Sequence, residues 1–129
     1  MNIAELIRKK TPENYVYELL KMGKELGFNP NFKCTQTGLP FLQVAIVLQN
    51  EQAIEILLSR DANVNILNEN NDTALHCASV KGLTNVCKIL LSYGATEKEV
   101  NNQGRTPLME ATKRNYTDVI EVLKKGKTG

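Results

Sequence analysis

The chain has 129 residues, of which 42% are hydrophobic and 23% charged, and its formal net charge is +2. This composition suits one compact unit with an ordinary core, and the charge is too small to indicate nucleic-acid binding, which needs a clustered basic face. The 3 cysteines provide no disulfide framework, because their number is odd and small, and they favour a reducing compartment.

The N-terminal segment predicts helices rather than a targeting signal. Its apolar residues precede its basic ones and Glu5 interrupts them, which is the reverse of a signal peptide. No apolar stretch approaches the ~20 residues of a membrane helix, so we expect an intracellular, cytoplasmic protein and no membrane, while the nucleus and secretion as an effector stay open. Thr11 followed by Pro12 and an acid is typical of a helix start. We predict helices at residues 2–10 and 12–26.

From residue 35 onwards the sequence repeats with a period of 33 residues. Residues 73–78 align with residues 106–111, Leu57 aligns with Leu90, and Leu90 aligns with Leu123. Self-similarity at a fixed period is the signature of stacked structural units.

The sequence pattern of each unit predicts two short helices, and the third unit illustrates this. Thr73 is a candidate N-cap for a helix at 75–80, which Gly82 ends. A second helix follows at 85–92, and Gly94 is its C-terminal stop. Two helices of this length cannot bury their apolar faces alone, whereas stacked copies can.

The fourth unit begins in the same way and ends differently. Thr106 is a candidate N-cap, and Pro107 takes the first helical position, where its missing N–H costs nothing. Lys124 and Glu110 stand at phases that hold apolar residues in earlier units. We expect both polar side chains on an outer face in water, and we expect the array to end at this unit.

These motifs resemble those of the ankyrin repeat family. Residues 72–78 and 89–95 closely match its T-P-L-H-x-A and L-L-x-x-G-A patterns, respectively. Residues 104–108 are a second match, and residues 56–65, which end in the family's usual V-N, are a third. The resemblance covers residues 35–126 and implies an all-α solenoid of stacked helix-turn-helix units with β-turn loops. The first unit departs from the pattern by one extra helical turn. We therefore predict a single domain, 1–129, in four parts: a degenerate N-terminal capping repeat (1–34), repeat 2 (35–67), repeat 3 (68–100) and a C-terminal capping repeat (101–129).

Two patterns that suggest catalysis have simpler interpretations. The tail at 125–129 resembles part of a phosphate-binding loop, but Glu121 stands where that loop needs a glycine, and no strand precedes it. Glu97 and Glu99 form a carboxylate pair in a loop, where nothing indicates the pocket that paired acids need. We expect no enzymatic activity and no cofactor.

His76 is the only histidine of the chain, and we interpret it as structural. The resemblance implies that it hydrogen-bonds to neighbouring repeat loops. Cys77 and Cys87 lack the spacing of metal ligands, so we expect buried small hydrophobic side chains and no metal.

The resemblance implies that loop tips and the outer face of each first helix line a groove where a protein partner binds. Apolar side chains in the earlier units and basic ones in the fourth, with no acid among Arg105, Lys113 and Arg114, predict a partner with an apolar anchor and an acidic flank. The candidate partner-binding residues are Gln36, Leu39, Val47, Leu48, Glu69, Asn70, Asp72, Val80, Lys81, Asn102, Gln103, Arg105, Lys113 and Arg114. Thr37, which follows Gln36, is predicted to lie on the same loop tip.

We therefore predict a non-catalytic protein–protein interaction module, monomeric when free, that acts as an inhibitor or an adaptor. Three alternatives stay open. One is a bacterial or parasite effector acting on a host protein, one is an immunity-type protein that neutralises a toxin, and one is a nucleic-acid binder, which salt-dependent retention on DNA would reveal.

Overall fold

The computed structural model describes Asn31 and residues 39–125. This part of the chain contains six helices and no strand, so the all-α prediction is confirmed. It belongs to two compact units that divide between Asn63 and Val64. The predicted helices at 2–10 and 12–26, with Gln36 and Thr37, lie outside the described residues. The helices are α1 (Phe41–Val47), α2 (Glu51–Ser59), α3 (Ala74–Lys81), α4 (Thr84–Ser92), α5 (Pro107–Lys113) and α6 (Thr117–Lys125).

The first unit contains one described helix pair, α1 and α2. Helix α1 is apolar over most of its length and buries every residue from Phe41 to Ile46. Asn50 begins α2 with a side-chain cap, because its Oδ1 accepts a hydrogen bond from the N–H of Ala53 at 3.0 Å. Helix α2 is amphipathic and buries Ala53, Ile54, Leu57 and Leu58, as expected for a helix that covers a core with one face.

The helix boundaries of the second unit follow the local signals in the sequence. Thr73 caps α3, since its hydroxyl accepts a hydrogen bond from the N–H of His76 at 3.2 Å, and Thr106 caps α5 in the same way. Gly82 ends α3 with a left-handed φ of +69°, which costs glycine little. Helix α4 ends at Ser92, two residues before Gly94. The predicted spans 75–80 and 85–92 are confirmed, each extended by one or two residues.

Left-handed backbone recurs with the 33-residue period. One residue has a positive φ at each of three places in the 33-residue repeat. These places are the turn after the first helix, the turn after the second helix and the loop before the first helix. These positions are Gln49, Gly82 and Asn115 in the first turn, Asp61 and Gly94 in the second, and Asn71 and Gly104 in the loop. Where glycine occupies such a position, the left-handed backbone is unstrained, whereas a residue with a side chain at the equivalent position carries backbone strain.

The core of the second unit forms where α3 packs against α5 and α4 packs against α6. Leu75 and Leu90 are fully buried there, and Leu123 is nearly so. Burial of one such leucine stabilises the fold by roughly 1.5–3 kcal/mol. Repeated leucines at one phase therefore hold the stacked pairs together. Among the described residues, no helix has the length and hydropathy needed to cross a membrane.

Candidate functional site

Two loops of the second unit share one internal hydrogen-bond pattern, and we call them finger A (residues 68–72) and finger B (residues 101–105). Asn68 Oδ1 in finger A accepts from the N–H groups two and four residues later, at 2.8 and 3.0 Å. Asn101 Oδ1 in finger B accepts from the equivalent groups at 3.0 and 3.1 Å. Sequence reasoning missed this pair, although two asparagines 33 residues apart were a signal for it.

The two fingers are bonded to each other at their tips. The N–H of Asn102 donates to the carbonyl of Asn70 at 2.9 Å. The side chain of Asn71 donates through Nδ2 to Asn102 Oδ1 at 2.7 Å. These bonds fix the spacing of the fingers, so their outward side chains are presented from a connected frame.

A buried carboxylate ties finger B to α5. Glu110 is 4% exposed, and its Oε1 lies 3.0 Å from Arg114 Nη1 and 3.6 Å from Arg105 Nη1. Asn101 Nδ2 donates to Glu110 Oε2 at 3.0 Å and to Asp72 Oδ1 at 2.9 Å. Burial alone would raise the pKa of Glu110, but the hydrogen bonds from Arg114 and Asn101 and the charges of both arginines hold it below its usual range.

Two predictions about this region are wrong. Glu110 does not face water, because its carboxylate is enclosed by Asn101 and two arginines. The expectation that no acid lies among Arg105, Lys113 and Arg114 fails for the same reason. Two of these three positive charges are opposed by Glu110. Lys124 is exposed, as predicted.

His76 links α3 to finger B. The ring is fully buried, and its Nε2 lies 2.9 Å from the carbonyl of Arg105. A carbonyl only accepts, so Nε2 carries the proton, and Nδ1 accepts from the N–H of Thr73 at 3.1 Å. The structural interpretation of His76 is confirmed, because Nδ1 bonds to the N-cap residue of its own helix and Nε2 bonds to the loop of the next repeat.

The two described cysteines are unsuited to nucleophilic chemistry. Burial raises the pKa of Cys77 to about 12, with a further contribution from the charge of Asp72, and burial raises the pKa of Cys87 to about 11. Both therefore remain thiols at neutral pH. Cys87 is fully buried as predicted, whereas Cys77 is only partly so. Across the described ranges, no group of three or more histidine, cysteine or acidic side chains is placed to hold a metal ion.

The predicted partner-binding residues differ in exposure. In the first unit Val47 is 44% exposed, and Leu39 and Leu48 are half-buried. In the second unit Asp72, Val80 and Arg105 are half-buried, and the exposed candidates are Glu69, Asn70, Lys81, Asn102, Gln103, Lys113 and Arg114.

Four of these side chains lie at equivalent positions at the C-terminal ends of two packed helices, where Arg114 is the residue that follows α5. Val80 on α3 corresponds by the 33-residue period to Lys113 on α5, and Lys81 corresponds to Arg114. We call these four residues the α3–α5 face. Arg114 is paired with Glu110, whereas neither Lys81 nor Lys113 forms an ion pair with a described residue. The face therefore presents two unneutralised cations beside one apolar side chain.

Comparisons with known proteins match the chain to repeat proteins. A family model of ankyrin repeats in three copies matches residues 7–100 and 42–128. An ankyrin repeat protein of fowlpox virus is 29% identical over 109 residues, 82% of this chain. An NAD-dependent deacetylase of Dictyostelium discoideum is 32% identical over 95 residues, 68% of this chain, and an ankyrin repeat protein of Acanthamoeba polyphaga mimivirus is 32% identical over 93 residues, 72% of this chain. The chain spans 15%, 12% and 12% of these relatives, respectively.

Proposed function

Because this chain belongs to the ankyrin repeat family, whose repeats are generally protein–protein interaction modules, we propose that it binds a protein partner through fingers A and B and the α3–α5 face, without catalysis. The match to the deacetylase spans only 12% of that enzyme. That activity is therefore no basis for a proposal about this chain. The raised thiol pKa values and the fully bonded His76 are consistent with a non-catalytic role.

The observation that carries this proposal is the separation between a hydrogen-bonded frame and the side chains that it leaves exposed. Asn68 and Asn101 accept hydrogen bonds from loop N–H groups, and His76 donates one to the neighbouring repeat. Lys81 and Lys113 project from this frame without ionic partners among the described residues. A frame that is already ordered lowers the entropy cost of binding.

The chemistry of the α3–α5 face favours a partner with an apolar side chain next to acidic residues. Val80 offers half-buried apolar surface, and Lys81 and Lys113 offer positive charge beside it. Opposite charge on a partner accelerates encounter and fixes its orientation. The proposed outcome is occupation of the partner's surface, as an inhibitor or as an adaptor.

The first experiment is affinity capture with chemical cross-linking, using the wild type, Lys113→Glu and a matched control. Lys88→Glu is that control, because Lys88 is an exposed lysine on α4, outside the α3–α5 face. We expect Lys113→Glu to reduce recovery of the captured protein about tenfold or more, as for loss of a charge at an interface. Lys88→Glu should retain it. Equal losses from both variants would contradict the proposed surface.

The second experiment follows association with the purified partner. Lys113→Glu should mainly slow association, and this effect should shrink as salt rises, because screening weakens steering at distance. Retention of the chain on DNA, lost with rising salt and unaffected by a protein partner, would support the nucleic-acid alternative instead.

A further inference from the structure

The far side of the last helix pair carries a groove of about 510 Å³. We call it the end face, and its lining residues are Glu97, Lys98, Thr106, Leu108, Leu123 and Lys124. Its two leucines correspond by the 33-residue period to Leu75 and Leu90, which are fully buried where successive pairs stack. Leu108 is half-buried and Leu123 is 5% exposed, so the end face has an apolar floor that Leu108 mainly supplies.

The polar bonds that join successive repeats are absent from this floor. Between earlier repeats, Asn65 Oδ1 accepts from the N–H of Thr96 at 2.9 Å, and His76 donates to the loop that follows its own repeat. The equivalent residues at the end face are Lys98 and Met109. A lysine has no acceptor and a methionine has no donor, so neither can repeat the bond.

The side-chain bonds by which finger A holds finger B also have no equivalent at the end face. Asn71 and Asp72 each bond to finger B through their side chains. The equivalent residues of finger B are Gly104, which has no side chain, and Arg105, which cannot accept. Four residues whose side chains hold the next repeat are thus replaced by four residues that cannot form the same bonds. The end face keeps an apolar floor but is unsuited to another repeat of this kind.

Its charges indicate what suits it instead. Glu97 Oε1 is buried and has no hydrogen-bond partner among the described residues, which is a costly state for a carboxylate oxygen. Lys98 and Lys124 are exposed, and neither forms an ion pair within the described ranges. The groove therefore combines a half-buried glutamate side chain, two exposed lysines and an apolar floor. Met109, which follows Leu108 on α5, is 53% exposed.

We propose that the end face is a self-association surface, on which a second copy of this chain docks about a two-fold axis. A two-fold interface uses the same patch on both copies, so the patch must be complementary to itself. Lys124 of each copy meets Glu97 of the other, and the leucine floors and Met109 pack between these pairs. The face is one helix pair wide, which places the buried area at or below the ~1,200 Å² lower limit of standard interfaces. The dimer is therefore weak and reversible.

Sedimentation velocity on the full chain, from about 10 μM to 1 mM in low salt, tests this proposal, since a weak dimer falls in that range of dissociation constants. We expect the wild type to dimerise with rising concentration. Glu97→Lys or Lys124→Glu alone should weaken dimerisation about tenfold, because each places like charges opposite each other. Met109→Asp should weaken it as well, and the exposure of Met109 keeps this variant folded. Lys88→Glu should leave dimerisation unchanged, because Lys88 does not line the end face.

A mixture distinguishes pairing between copies from pairing within one copy. The Glu97→Lys and Lys124→Glu chains, mixed in equal amounts, bring opposite charges together at both contacts of the two-fold pair. Dimerisation should return in the mixture to near the wild-type level. A wild type that stays monomeric at 1 mM overturns the proposal, as does a mixture no better than its components. A dimer that Met109→Asp does not weaken places the interface elsewhere and also overturns it.

Discussion

Replacing Asn101 by alanine removes four hydrogen bonds at once from the junction of finger B, finger A and α5. Two are the bonds from loop N–H groups to Oδ1, and two are the bonds from Nδ2 to the carboxylates of Asp72 and Glu110. Asn101 is 5% exposed, so water replaces these partners poorly. At about 1 kcal/mol for each bond, reduced where the loop is open to water, the loss is roughly 2–4 kcal/mol in the free energy of unfolding.

The neighbouring Asn102 provides the matched control. It has the same side chain, but it is exposed and its bonds lie at the finger tips. Asn102→Ala should therefore cost less than about 1 kcal/mol. Asn101→Asp offers a third comparison, because it keeps the acceptor and turns the donor towards Asp72 and Glu110 into a further carboxylate. We expect Asn101→Asp to be at least as destabilising as Asn101→Ala at neutral pH and to recover partly in acid.

Urea unfolding followed by circular dichroism measures all three variants at pH 7, and the helical signal before the transition verifies that each one is folded. The reasoning is refuted if Asn101→Ala and Asn102→Ala cost the same. In that case the buried junction contributes no more than the exposed tips, and Glu110 does not depend on Asn101 for its place in the structure.

Three further predictions concern stability and are measured by the same unfolding assay. Leu90→Ala should lower the free energy of unfolding by about 2–5 kcal/mol, because it leaves a cavity in a full core. Lys124→Ala should lower it by less than about 0.5 kcal/mol, because the site is exposed. Comparable losses from both variants would mean that the end of α6 is packed. The pKa of Glu110 is lower in the folded chain than the ordinary glutamate pKa of 4.5, so its contribution to stability is fully present above pH 4.5 and is lost as pH falls through the lower folded value. Glu110→Gln should remove this part of the acid dependence, and an unchanged pH profile would contradict the network. Gln49→Gly should stabilise the chain by about 0.5–1 kcal/mol, because Gln49 has a φ of +57° where glycine is unstrained; a loss of stability would show that its side chain contributes more than the strain costs.

The repeat, the helix caps and the helix ends could be predicted from the sequence alone. Thr73 and Thr106 accept hydrogen bonds from N–H groups three residues away, and Gly82 ends its helix with a left-handed φ. Such interactions depend on neighbours along the chain, so the residue types reveal them directly. The buried leucines could also be predicted, because a helix repeats its buried face at a fixed spacing in the sequence.

The position of Glu110 was decided by tertiary structure. The sequence placed it at an apolar phase of the last repeat, where a polar side chain indicated solvent. Its ion pair with Arg114 is local to α5, but the amide of Asn101 that completes the site lies nine residues away on finger B. Whether a charge is buried depends on partners from separate elements. The period of the sequence therefore determined which residues stack, while the packing of finger B against α5 decided which of the charged residues face water.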